Sequence, residues 1–341
     1  MAIRRGITIH DVARRAGVST TTVSHALNEK GTISERTRER VKSVAADLGY
    51  QADALARGLR SSRMGVIGLV LRPLDALGSY APSGVDYFLR FAGAAAGRAL
   101  DLGLGLMQVG DLTKRPITPL AFSLDGYIVM DPMDDDPVIG LLQKYEMPFV
   151  TLGRDVRRPE ANNWVASDDR RSVRTSLSHL HERGARSIAF VAGVDGNSWN
   201  RDGEEVYLGW CAEHGVAPRL LHIPESDGEA GGRRAARQLL EEGLPDGVHC
   251  MTGRHAAGLQ AELREHGVTT PEHLLLVAGS DAEPSRAGTP PITGFDLNPE
   301  RLAQATVNLL DATIRGEAPP ARTLLGSRFI VRASTGGERG A

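Results

Sequence analysis

From Met64 onward the chain alternates short apolar runs with stretches whose apolar residues recur every three or four positions. The runs "GVIGLVL", "LGLGLMQV", "GYIVM", "PFVTL", "SIAFVAG", "GVHCM" and "LLLVAG" read as strands buried on both faces. Between them the spacing predicts helices over Tyr87 to Asp101, Asp136 to Tyr145, Asp168 to Arg183, Gly203 to His214, Glu229 to Glu242 and Gly258 to His266. Strand and helix in alternation imply doubly wound parallel sheets with right-handed crossovers, and ligands in such folds sit beyond the carboxyl ends of the strands.

The residues ahead of Met64 carry no such runs. Thr8 with Asp11 three residues on resembles a capping box, and Ile9, Val12, Ala13 and Ala16 share one helical face, so a first helix should stop at Gly17. Ser19 can cap a second helix, with Val23, Ala26 and Leu27 inward and Thr20, Thr21, Ser24 and His25 on the other side. A third helix starts at Ser34, repeats Val41, Val44, Ala45 and Leu48, and ends at Gly49. Three short helices about a tight glycine turn make a helix-turn-helix unit.

Charge sharpens this division. Over 341 residues the formal net charge is −2, yet residues 1–63 hold 12 Arg or Lys against 6 Asp or Glu, a basic head on an acidic body. A polyanion is the expected partner of such a head. A helix meant for the major groove needs short hydrogen-bonding side chains near its N-terminus, and Thr20, Thr21 and His25 meet that need: hydroxyls donate or accept, threonine methyls touch thymine, and imidazole donates to guanine.

Other chemistry is thin. The two cysteines, Cys211 and Cys250, lack metal-ligand spacing and read as reduced, half-buried thiols. Gly103, Gly105 and Gly110 fall short of a dinucleotide fingerprint, and no GxxxxGK, HExxH or GxSxG run occurs. The acidic run Asp134 to Asp136 follows a strand and precedes a helix, where capping is the expected role. The expectation is a protein that is not an enzyme and uses no cofactor or metal. The longest apolar run is far short of a membrane span, and the N-terminus lacks a signal-peptide core, so a cytoplasmic location with no membrane partner is expected.

The stretch "ITIHDVARRAGVSTTTVSHALNEKG" followed by "ISERTRERVKSVAADLGY" closely resembles the lactose-repressor (LacI/GalR) family, and "VSTTTVSH" is most similar to its purine-repressor branch. The resemblance implies that the second helix reads bases through Thr20, Thr21 and His25, with Ser19 beside them, and that many relatives carry Arg where this chain has His25. It also makes "QADALARGLRSSRMGVIGLV" a hinge helix leading into the core, in which Leu59 matches a leucine wedged into the operator minor groove. There Ala56 lets two hinge helices approach, and Arg57, Arg60 and Arg63 hold phosphates. Ala52-Asp53 replaces the usual Pro-Asn of that hinge.

The body resembles the family core, two α/β lobes of the periplasmic sugar-binding type that close on a small, sugar-like effector. The implied organisation is a head at 1–50, a hinge at 51–63 and a core at 64–341, with lobe one about 64–153 plus 293–316 and lobe two about 154–292 plus 317–335. Where relatives place an effector-gripping Arg, an Asn and an Asp, this chain has Val206, Thr252 and Asp281. Trp199 and Arg201 are candidates to replace the lost Arg, and Tyr87 with Phe88 match the aromatic pair on the first lobe's side. "DLTKRPITPL" leaves room for only a turn or two where relatives have a crossover helix. The resulting expectation is a transcriptional repressor binding a pseudo-palindromic double-stranded DNA operator as a homodimer under effector control; the alternative is the same regulator with a core that has ceased to bind a small molecule.

Overall fold

The computed structural model describes residues 7–27, 31–48, 50, 63–71, 86–157, 163–317 and 322–336. They divide into two compact units, Met1–Met64 and Gly65–Ala341.

In the first unit, helix α1 (Ile9–Ala16) opens on the Thr8–Asp11 box, whose carboxylate accepts the Thr8 N–H at 2.9 Å, and closes on Gly17 at φ 64°. A residue with a Cβ is strained in that left-handed cap, so glycine is the natural stop. Helix α2 (Thr20–Leu27) begins where Ser19 Oγ accepts the Thr22 N–H at 3.0 Å. Helix α3 (Glu35–Asp47) is capped by Ser34, which accepts the Thr37 N–H. It ends at Asp47, earlier than Gly49, because Leu48 stays right-handed while the Tyr50 N–H already closes back on Ala45 O at 2.8 Å. Val12, Ala16, Val23, Ala26, Val41 and Ala45 form its small core.

The second unit holds two six-stranded sheets among the described residues. In chain order its elements are β1 (Val66–Val70), α4 (Asp86–Asp101), β2 (Gly105–Val109), β3 (Tyr127–Met130), α5 (Pro137–Lys144), β4 (Phe149–Leu152), β5 (Trp164–Ser167), α6 (Asp169–Glu182), β6 (Ile188–Ala192) and α7 (Ser198–His214). Then follow β7 (Arg219–His222), α8 (Gly228–Glu242), β8 (Gly247–Cys250), α9 (Gly253–Glu265), β9 (Leu275–Ala278), α10 (Glu283–Arg286), β10 (Thr293–Asp296), α11 (Pro299–Arg315), β11 (Arg322–Leu325) and β12 (Arg328–Ile330).

The first sheet runs β11-β5-β4-β3-β1-β2 and is parallel throughout; the second runs β12-β10-β9-β8-β6-β7, with only the β10–β12 pair antiparallel. Strands β3, β6 and β8 are buried at every position, as expected of a sheet covered on both faces. Helices α4 and α11 cover one face of the first sheet, while Tyr127, Leu124, Val138 and Leu142 fill the other. Where relatives carry a crossover helix there is a single 3-10 turn, Pro119–Phe122, which leaves Leu120 and Phe122 exposed.

Three features differ from the sequence reading. The chain crosses between lobes after β5, after β10 and after β11, so residues 163–167 and 322–325 join the first lobe, whereas 293–296 belong to the second. The divisions at 153, 293 and 317 therefore shift, because β5, β10 and β11 each carry polar residues and do not stand out as apolar runs. Helices α7 and α9 begin five residues ahead of Gly203 and Gly258, capped by Asn197 and Thr252, which accept the N–H groups of Asn200 and His255 at 3.0 and 3.1 Å. Those glycines are interior close-packing positions: a Cβ on Gly258 would lie 1.9 Å from Glu229 O and one on Gly203 2.8 Å from Met251 Sδ. Cys211 and Cys250 are fully rather than half buried.

Candidate DNA-reading helix and inter-lobe cleft

The apolar stripe of α2 packs Val23 and Ala26 inward, which turns Thr21 and His25, one helical turn apart, to the surface, with Thr20 half-buried beside them. The imidazole of His25 lies over Gly31, where φ is 72° and a Cβ would come within 2.9 Å of Nδ1. Ser19 sits at the same end, but its hydroxyl is occupied, accepting from the Thr22 N–H and bonding the Thr22 hydroxyl at 2.9 Å. Ala56, Arg57 and Leu59 lie outside the described residues.

In the second unit the carboxyl ends of the strands from both sheets meet around a cavity of about 450 Å³. Tyr87, Phe88, Trp199, Thr252 and Asp281 all line it. Tyr87 and Phe88 make an edge-to-face corner with ring centroids 5.3 Å apart. Two of the expected residues are engaged by the scaffold. Asp281 accepts both ends of the Arg332 guanidinium, at 2.8 and 3.0 Å, and Thr252 spends its acceptor on the α9 cap.

Arg201 does not line the cavity. Its guanidinium crosses to the first lobe and pairs with Asp134, so it does not stand in for the missing Arg. Val206, the position of that Arg in relatives, is 3% exposed in the second lobe's core. Within the acidic run, Asp136 caps α5 through the Val138 N–H at 2.9 Å, and Asp134 serves this inter-lobe pair.

Apart from Asp281, the sequence reading singles out none of the carboxylates of the cleft. Among the described residues eight acids line it against three bases, and all three bases are engaged: Arg90 with Glu300 and Asp296, Lys114 with Asp111, Arg254 with Glu225 O at 2.6 Å. Asp131 holds a left-handed backbone (φ 43°) at the end of β3, and Asp169 opens α6. Burial first, and then the neighbouring carboxylates of Asp202, Asp131 and Asp168, push Asp169 up to about 8, although Ser167 Oγ donates to it at 2.5 Å. Burial and the charges of Asp131 and Asp169 also push the Tyr87 phenol well up, so these three groups converge. Burial and Glu225 raise Asp195. The signal for Asp131 was its place one residue past an apolar run.

Ion pairs tie the lobes together along the rim. Arg154 of the first lobe pairs with Asp202 of the second, Arg201 with Asp134, and Arg286 with Asp86 at 2.8 Å, while Met133 and Asn197 share a β-bridge. No helix among the described residues is long and apolar enough to cross a membrane, and none of their His, Cys, Asp or Glu side chains group as a metal site.

Residues 8–53 match the family model "Bacterial regulatory proteins, lacI family", and residues 177–335 match "Periplasmic binding protein-like domain". The chain is 28% identical to the HTH-type transcriptional repressor PurR of Erwinia tasmaniensis over 93% of each chain. To the probable HTH-type transcriptional repressor ExuR of Bacillus subtilis it is 25% identical, covering 96% of this chain and 98% of that one. A crystal structure of the lac repressor dimer bound to operator and the anti-inducer ONPF superposes with a TM-score of 0.81 at 24% identity, over 97% of this chain and 99% of that one. A transcriptional regulator CelR–cellobiose complex gives a TM-score of 0.69 at 23% identity, over 96% and 99%.

Proposed function

The chain belongs to the lacI family of bacterial regulatory proteins and is a DNA-binding transcriptional repressor, and from that premise we propose that it acts as a homodimer on a pseudo-palindromic operator and is controlled by a small molecule in the inter-lobe cleft. The observation that carries the DNA half is the surface row Thr21–His25, with Thr20 beside it, on a helix whose opposite face is locked into a core. Thr20, Thr21 and His25 read base edges in the major groove. Ser19 fixes the end of that helix through its cap. The wedge role of Leu59, with Ala56 and Arg57 beside it, rests on the resemblance of the hinge segment. Two-fold pairing of heads makes the operator symmetric in turn.

The effector half is supported by a cavity at the strand ends, where doubly wound folds bind ligands, walled by Tyr87, Phe88 and Trp199. Asp281 and Thr252 shape its wall, and the ion pairs of the rim bias how the lobes close. A ligand that prefers one lobe arrangement shifts the spacing of the two hinges and so the affinity for DNA.

Selection of random duplexes by the full-length protein, sequenced at moderate and at higher salt, tests the reading. Enrichment of a palindrome with a deformable central step is expected. Salt-sensitive binding without sequence enrichment would refute it. A second reading, a core that closes without any small molecule, is favoured by the inter-lobe pairs and by the burial of Val206. One clear stabiliser in a ligand-library thermal-shift screen refutes that one.

A further inference from the structure

We propose that the cleft selects a cationic ligand, a small amine whose ammonium sits between Asp169 and Asp131 and whose body lies against Tyr87, Phe88 and Trp199. The proposal rests on the cleft being the effector site.

The first support is the unmet acceptor. Asp169 lines the cavity at 8% exposure; one oxygen accepts from Ser167 and the other receives no donor among the described residues. No cation pairs with it there, and the carboxylates of Asp202, Asp131 and Asp168 disfavour its ionisation, Asp202 itself being paired with Arg154 and Arg170. A buried carboxyl in that state is costly to ionise until a ligand supplies the missing charge. The second support is the committed state of the bases. Arg90 and Lys114 are paired with carboxylates and Arg254 donates to Glu225 O, while Asp86, Asp281 and Asp296 are paired with Arg286, Arg332 and Arg90, so Asp169 stands among the acids of the wall that no cation of the described residues partners.

The choice between an alcohol and an amine follows from charge. A hydroxyl can donate to Asp169 yet brings no charge that would let it ionise beside the neighbouring carboxylates. An ammonium supplies three donors and the opposite charge together. The aromatic corner of Tyr87 and Phe88 and the ring of Trp199 are surfaces that attract a cation and cover a hydrocarbon body.

The test compares pairs matched in shape and differing in charge: putrescine against butanediol, and phenethylamine against phenethyl alcohol, each titrated into the full-length protein by calorimetry. The amine of a pair is expected to bind about tenfold or more tightly than its neutral partner, since a desolvated charge pair replaces a neutral hydrogen bond. Asp169→Asn, and independently Asp131→Asn, should bring the two partners to similar affinity. Equal binding of amine and alcohol by the unsubstituted protein overturns the proposal, as does a preference that survives both substitutions. If the alcohol binds as well as the amine and Trp199→Ala abolishes both, the cleft stands as the effector site and only the charge selectivity falls. Binding of neither member of either pair removes both inferences.

Discussion

Asp281, the effector position that the family resemblance implies, is half of a partly buried ion pair. Its carboxylate is 10% exposed and takes two hydrogen bonds from an Arg332 guanidinium that is 18% exposed. Arg332 also donates to Ile292 O at 2.7 Å, and its own N–H bonds Thr293 Oγ1 at 2.9 Å, so the pair clamps the returning C-terminal segment onto β10. Asp281→Ala leaves that guanidinium facing one carbonyl. Breaking a buried pair from one side costs about 3–5 kcal/mol, and the residual exposure brings the expectation down to about 3 kcal/mol. Arg332→Met should cost less, about 2 kcal/mol, because Arg286 remains 3.8 Å from the orphaned carboxylate. In the double variant neither charge is orphaned, so the two costs should fall short of additivity by about 2 kcal/mol. Urea unfolding of the full chain followed by tryptophan fluorescence measures this, since Trp164, Trp199 and Trp210 all lie in the core and the head is silent. Additive losses would mean that Arg332 does not hold Asp281. A loss of ligand affinity with unchanged stability would instead support Asp281 as an effector contact.

The remaining predictions concern each unit separately. His25→Ala should cost about 1–3 kcal/mol on the selected operator and relax one base position, whereas an equal loss on random DNA would show that His25 reads nothing. Ser19→Ala should lower head stability by about 1 kcal/mol through loss of the α2 cap, seen as an earlier loss of helical circular dichroism from the head. Gly258→Ala should destabilise the core by about 2–4 kcal/mol, because its Cβ meets the α8 backbone, while Gly209→Ala, with nothing within 4 Å, should stabilise by up to about 1 kcal/mol. For Asp169 the folded state favours the protonated acid, so its stabilising contribution is complete below the usual 3.8 and is lost as pH rises through about 8. The urea midpoint of the core should therefore fall across that window, and less so in Asp169→Asn; identical pH profiles would contradict the crowding of carboxylates.

How far the sequence could be read depended on whether each signal was local. Strands β3 and β6 were visible because both faces are covered and every position is apolar. Strand β7 carries Arg219 and His222, and β11 alternates at a sheet edge, so neither forms a run. Gly203 and Gly258 look like helix boundaries in one dimension; only the crossing of a neighbouring element shows why a side chain is excluded there. In the cleft the aromatics could be placed by resemblance. The pairing of Arg201 with Asp134 joins positions 67 apart and has no sequence signature, nor does that of Asp281 with Arg332, 51 apart.

These long-range pairs bear on the proposed effector control of the core. Arg201 and Arg286 are 48% and 37% exposed in their inter-lobe pairs, a setting in which each pair contributes about 0–1 kcal/mol; Arg154–Asp202, at 23% and 11%, is the more sheltered. A lobe arrangement held by such contacts is biased rather than locked. Moving a two-state equilibrium from one extreme to the other takes a differential affinity of about 5.5 kcal/mol, and a small bias can be reset by less. On the proposed effector reading, the buried Asp169 is where a ligand of opposite charge gains such a difference, by letting the carboxyl ionise in a lobe arrangement that shelters it from water. Under the proposed effector control, the rim pairs would set the resting bias and the charge state of the cleft would determine which ligand changes it.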